Sequence, residues 1–196
     1  MNPDKMTIQE EKERSDRSYK LILLFAMVSM TMMFAGLTSA FVVSKSRTDW
    51  LKDFQMPSAF FYSTAVIIGC SITFHLAKKA IQKNSRNATT SYLLVTLALG
   101  ILFVFLQFRG FHQIVEAGYF FTGSASSITT TFFYVVTLAH LVHLAGGIIS
   151  LLIIIYNHFK QKYNSTQTLG IELGAMYWHF LDILWVYLFL FLYFFK

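Results

Sequence analysis

A single cysteine, Cys70, stands among 196 residues. No disulfide can close within such a chain, and no cysteine cluster can hold a metal. Cys70 lies inside an apolar run, where a lone cysteine behaves as a small buried hydrophobe. Charge is scarce too: 13% of residues are Asp, Glu, Lys or Arg, against about 25% in an ordinary soluble domain. No nucleophile–base–acid set, glycine-rich phosphate loop or metal-binding box occurs, so any chemistry this chain serves is expected on another subunit. Strand-like alternation is missing, which excludes a closed barrel as the spanning solution. No internal repeat supports an inverted-repeat transporter.

What is abundant is apolar. The chain is 55% hydrophobic, with 21 phenylalanines. A spanning helix needs about 20 mostly apolar residues, and five stretches qualify: Tyr19–Val43, Ser58–Ala77, Tyr92–Phe108, Ile128–Tyr156 and Leu169–Phe195. The expected fold is all-α, a polytopic membrane bundle of five transmembrane helices. Residues 1–18 form a polar cytoplasmic tail, partly disordered, and residues 19–196 the transmembrane domain. The run before Thr38-Ser39-Ala40 is too long, and its leader too acidic, for a cleaved signal peptide; it reads as a retained anchor. Lys83–Thr90 reads as a solvated loop and Gly118–Ser127 as an outer loop rich in small polar residues.

The net charge of +6 does not point to nucleic acid, because the basic residues fall in short clusters between apolar runs. Eleven of the sixteen Lys and Arg flank one side: Lys5 to Lys20, Lys78 to Arg86, and Lys160 with Lys162. Lys45, Arg47, Lys52, Arg109 and Lys196 lie on the other. The positive-inside bias puts the N-terminus in the cytoplasm and the C-terminus outside.

Ionisable residues at bilayer depth are costly and mark function or packing. In the fifth span Glu172, Ala175, His179 and Asp182 follow one another at helical same-face spacing, and His179 and Asp182 can pair at i, i+3. In the fourth, His140 and His143 share a face with Gly147, next to Gly146. A short loop joins the two spans, and His143 and His179 fall at similar depth. A polar seam between spans four and five follows, with those two rings approaching each other or a shared partner. Three readings of that seam stay open: interhelical hydrogen bonding, capture of a phospholipid headgroup, and metal or bis-histidine haem ligation. His75, Arg109, His112 and Glu116 read as helix-end residues. Gly36 and Ala40 read as a small-xxx-small contact, and Met27, Met30, Met32 and Met33 as packing filler.

The run Leu169-Gly-Ile-Glu-Leu-Gly-Ala-Met-Tyr-Trp-His-Phe-Leu-Asp-Ile-Leu-Trp185 is similar to the last helix of subunit III of haem-copper terminal oxidases, the cytochrome c oxidase subunit 3 family. Phe132-Phe-Tyr, with Thr137-Leu-Ala-His-Leu-Val-His-Leu-Ala-Gly-Gly147, resembles that family's preceding helix. Weaker matches are Leu106-Gln107, Ser71-Ile-Thr, and Phe34-Ala-Gly with Ala40-Phe41. The resemblance covers nearly the whole chain after the polar tail. Many members have seven helices, and five here looks like a bacterial form lacking the first two, which usually build one arm of a lipid-filled cleft. Two positions depart from the pattern: Met30 follows Ser29, and Gly110 lies beyond Gln107, where the family usually carries glutamates. Any proton-handling role attached to those carboxylates does not carry over.

The resemblance implies a non-catalytic subunit of a respiratory oxidase in the bacterial cytoplasmic membrane, supporting proton uptake and sustained turnover. It implies no catalytic, cofactor-binding or metal-binding residue in this chain, with haem and copper in partner subunits. Subunit I is the expected main contact, with subunit II and other respiratory subunits beside it. Bound phospholipid is the expected ligand, and His140, His143, Glu172, His179 and Asp182 are the residues expected to line the lipid or polar seam. A membrane b-type cytochrome and a small transporter are the alternatives. The donor, cytochrome c or quinol, is not written in this chain.

Overall fold

The computed structural model describes residues 8–48, 50–51, 56–123, 126–164 and 167–195. Among them lie five helices long and apolar enough to cross a membrane: α1 Ile8–Val43, α2 Ser58–Gln82, α3 Arg86–Glu116, α4 Ile128–Phe159 and α5 Leu169–Phe195. A 3-10 turn, Ser44–Ser46, follows α1. No strand forms among the described residues; there are two isolated bridges, Phe120 to Ser126 and Asn164 to Gln167.

Local chemistry explains where the helices stop. The N–H of Ser85 donates to Ala80 O (2.9 Å), that of Tyr119 to Ile114 O (3.1 Å) and that of Lys162 to Asn157 O (3.1 Å). Each is the six-to-one bond of a Schellman cap. The residue before each donor is left-handed: Asn84 at φ 56°, Gly118 at 83° and Gln161 at 60°. At the start of α4 the Ser127 hydroxyl accepts from the Thr130 N–H, and the Thr130 hydroxyl accepts from the Ser127 N–H, both at 3.2 Å. This reciprocal capping satisfies two otherwise orphaned donors.

The helices overrun the apolar runs. α1 starts at Ile8 rather than Tyr19, so residues 8–18 of the expected tail are helical, with Glu10 and Glu11 favourably placed in the first turn. Residues 1–7 lie outside the described set, as do Lys52 and Lys196. The expected loop 83–90 shrinks to residues 83–85, because Thr89 and Thr90 turn their hydroxyls onto the carbonyls of Ser85 and Arg86. Polar residues that satisfy themselves locally can stay helical.

Helix α5 is central and packs against α1, α2 and α4; α3 joins α2 to α4. Trp178 and Trp185 are both buried at 1% exposure. Trp178 passes between α3 and α4 where each offers glycine. A Cβ on Gly100 would sit 3.2 Å from the indole, and one on Gly147 3.5 Å from it. Phe60, Phe103 and Trp185 fill the next level, with ring centroids 5.2 Å apart for Phe103–Trp185 and 6.0 Å for Phe60–Trp185. The outer surface is apolar, with Phe25, Met32, Val142, Ile183 and Phe194 all well exposed, as suits a bundle solvated by lipid.

Two packing expectations are corrected on α1. A Cβ on Gly36 would meet nothing within 4 Å, and both Gly36 and Ala40 are exposed. The helix packs instead through Phe34, Thr38 and Phe41 on another face. Met32 and Met33 point outward and do not fill the core.

Candidate functional site

The structure redistributes the ionisable residues among several neighbours. Glu172, at the start of α5, accepts from Lys20 Nζ of α1 at 2.8 Å and from the Thr168 hydroxyl at 2.8 Å. His179 Nδ1 is bonded to the Ser71 hydroxyl of α2 at 2.7 Å, and its ring lies 6.2 Å from that of His75. Asp182 is 4% exposed, with the Ser71 hydroxyl beside it. His179 and Asp182 therefore share a face, as the spacing says, without pairing.

His143 and His179 do not meet. The His143 ring turns back to the Ala139 carbonyl at 2.7 Å and lies 5.7 Å from Phe34 of α1. The reason is angular. α4 touches α5 through Tyr177, Trp178 and Leu181, and at about 100° per residue Tyr177 and Leu181 lie well around α5 from Glu172 and His179, with Trp178 at the boundary beside Asp182. The α4–α5 contact is thus glycine against aromatic, with the Tyr177 hydroxyl donating to the His143 carbonyl at 3.0 Å. His140, by contrast, is fully buried, 5.0 Å from Trp185 and 6.1 Å from Phe103 between ring centroids.

The interhelical polar bonds gather on α2 instead. Besides Ser71–His179, the indole N–H of Trp185 donates to Thr64 at 3.1 Å, Gln107 Nε2 donates to Ser63 at 2.9 Å, and Thr73 and Thr96 share a bond at 2.8 Å. Cys70 is fully buried with its Sγ 3.8 Å from the Thr96 carbonyl. The hydroxyl ladder on α2 was the part that sequence reasoning missed. Part of its signal was present in the sequence: Thr64 and Ser71, seven residues apart, share the face turned to α5, while Ser63 and Thr73 turn to α3.

Two grooves open beside α1. One, about 430 Å³, runs between α1, α4 and α5 and is lined by Leu23, Ile149, Ile153, Leu173 and Tyr177. The other, about 300 Å³, holds Lys12, Lys20, Lys162, Thr168 and Glu172. They share Tyr163 and Gly170, so an apolar trough ends in a charged mouth, where Lys12, Lys20 and Lys162 lie with Asp16 and Glu172. No group of three or more His, Cys, Asp or Glu converges as a metal site among the described residues.

Residues 14–196 match the family model for cytochrome c oxidase subunit III. The chain belongs to the cytochrome c oxidase subunit III family. It is 31% identical to a cytochrome c oxidase subunit 3 of Spodoptera frugiperda over 140 residues, 71% of this chain and 89% of that one. It is 27% identical to one from Thermostichus vulcanus over 175 residues, 87% and 84% of the two chains. Against the Drosophila melanogaster protein the match is 30% over 140 residues, 71% of this chain and 50% of that one. The matched region thus spans about half the length of several relatives.

Gly110, the position where the sequence resemblance leads one to expect a glutamate, is tightly enclosed. A Cβ there would lie 2.6 Å from the Phe60 ring, which is itself buried and edge-on to Phe133 at 5.2 Å. An aromatic ring fills the space a larger residue would need. The weaker sequence matches, Ser71-Ile-Thr and Leu106-Gln107, turn out to supply three of the interhelical bonds of the α2 seam.

Proposed function

We propose that this chain is the non-catalytic third subunit of a respiratory haem-copper oxidase, assembled chiefly against subunit I with subunit II nearby, in a bacterial cytoplasmic membrane. The observation that carries this reading is the family match over residues 14–196. Haem and copper belong to the partner subunits, and this chain supports them by packing, by its effect on proton uptake and by holding lipid. The lysine excess at the end bearing the α2–α3 and α4–α5 loops supports a cytoplasmic N-terminus. The continuous trough supports phospholipid binding: acyl chain along Leu23, Ile153 and Leu173, phosphate at Lys12 and Lys162, with Lys20 shared between the phosphate and Glu172. Lysine ammonium groups at the membrane boundary attract anionic headgroups.

Purification of the tagged chain after gentle solubilisation, with native mass spectrometry and a visible spectrum, tests this. The expected result is co-purification with a larger haem-bearing subunit, bound phospholipid that falls away in Lys20→Ala/Lys162→Ala, and no Soret band from the chain alone. A stoichiometric Soret band in the isolated chain would establish the b-type cytochrome instead. Ion flux through liposomes holding only this chain would establish the transporter.

A further inference from the structure

Three polar side chains at one level of the core have atoms with no bonding partner among the described residues: Gln107 Oε1 on α3, and Thr137 Oγ1 and both ring nitrogens of His140 on α4. All three residues are 0% exposed. Their register is fixed from both sides. Phe103 faces His140 at 6.1 Å, and Phe111 stacks on Tyr134 at 5.2 Å. Gln107 lies midway between Phe103 and Phe111, one turn from each, and Thr137 midway between Tyr134 and His140. In antiparallel helices so bracketed, Gln107 faces Thr137.

The orientation of the Gln107 amide follows from its other bond. The Ser63 hydroxyl donates to the Phe60 carbonyl at 2.9 Å, so its oxygen accepts from Gln107, and the group 2.9 Å away is Nε2. The carbonyl end, Oε1, is then the one left over. A neutral imidazole offers one donor and one acceptor, a threonine hydroxyl one donor and two lone pairs, and an amide oxygen acceptors only. No set of direct bonds in the structure joins them. Buried polar groups without partners are rare in native proteins and costly, and lipid outside the bundle offers no remedy.

The geometry points to a tightly bound internal water that bridges Gln107 Oε1, the Thr137 hydroxyl and the His140 ring. It accepts from the Thr137 hydroxyl and from the ring N–H of His140 and donates to Gln107 Oε1, which makes three bonds, the usual number for a buried water, and leaves the unprotonated ring nitrogen as the one atom of the set without a partner. Phe103 and Trp185 flank the site on one side, Phe111 and Tyr134 on the other. The site assigns His140 a role that needs neither metal nor lipid. It also ties α3 to α4, as the Ser63–Gln107 bond ties α2 to α3.

A cryo-EM map of the intact membrane complex, at a resolution that shows ordered water, tests this directly. The expected result is a peak within hydrogen-bonding distance of at least two of these three side chains. Side chains rearranged to bond one another, with no peak between them, would overturn the proposal. Infrared spectra of the complex in lipid nanodiscs before and after exchange into H₂¹⁸O provide a second readout. An isotope-sensitive O–H band of a weakly bonded internal water should be present in the native chain and lost in the near-isosteric Thr137→Val. Persistence of the same band in Thr137→Val and in His140→Phe would refute the bridge.

Discussion

Trp178→Ala is the substitution whose cost the structure sets best. The indole is 1% exposed and lies between Gly100 and Gly147. In a membrane the unfolded reference keeps its helices in lipid, so little hydrophobic transfer term is lost. What remains is the cavity term: a tryptophan covers about 200 Å² and cavity surface costs about 20 cal/mol/Å², which gives roughly 4 kcal/mol, or about 3 with partial collapse. Gly100→Leu alone puts bulk where even a Cβ would sit 3.2 Å from the ring, and overpacking of that kind costs about 1–3 kcal/mol. The two changes should compensate, since the leucine grows into the space the indole vacates. The cycle should show a favourable coupling of about 1–2 kcal/mol, within the range for residues in contact. Unfolding of the full chain in mixed micelles, followed by circular dichroism for the native, single and double variants, gives all four values. A Trp178→Ala cost under about 1 kcal/mol, or additivity within about 0.5 kcal/mol, would refute the wedge.

Gly110→Glu should destabilise by about 2 kcal/mol or more, since its Cβ would meet Phe60 at 2.6 Å; Phe60→Ala should relieve part of this in the same micelle assay. Lys20→Ala should cost about 1 kcal/mol or less, because the pair with Glu172 is part-exposed, at 43% and 22% for the two side chains, and the loss should shrink at high salt. Ser71→Ala should cost about 0.6 kcal/mol, the usual worth of an interhelical bond in a membrane, as read from the unfolding midpoint of the full chain. His143→Phe should change stability by less than about 1 kcal/mol, since the ring already packs against Phe34 and its bond is to its own helix; a loss of haem or of metal from the purified chain would contradict that placement.

The five spans were legible because a helix in lipid must satisfy its own backbone and needs a long apolar run, and each run from Tyr19 to Phe195 supplies one. Their ends were less legible. Thr89 and Thr90 look like loop residues until their hydroxyls bond the preceding turn, and Asn84 ends α2 through a left-handed φ that composition does not announce. The family was legible too, because its specific residues crowd into two short motifs on α4 and α5.

Periodicity placed Glu172, His179 and Asp182 on one face of α5, and that needed nothing beyond the sequence, because the angle per residue is a property of the helix. Which helix that face meets was decided only by tertiary packing. α5 is surrounded, so His179 bonds Ser71 on α2 and Glu172 bonds Lys20 on α1, 152 residues away, while α4 takes the opposing aromatic side. Contacts between helices depend on rotation and crossing at every interface at once. No single run of residues encodes that, and so the polar seam formed on α2.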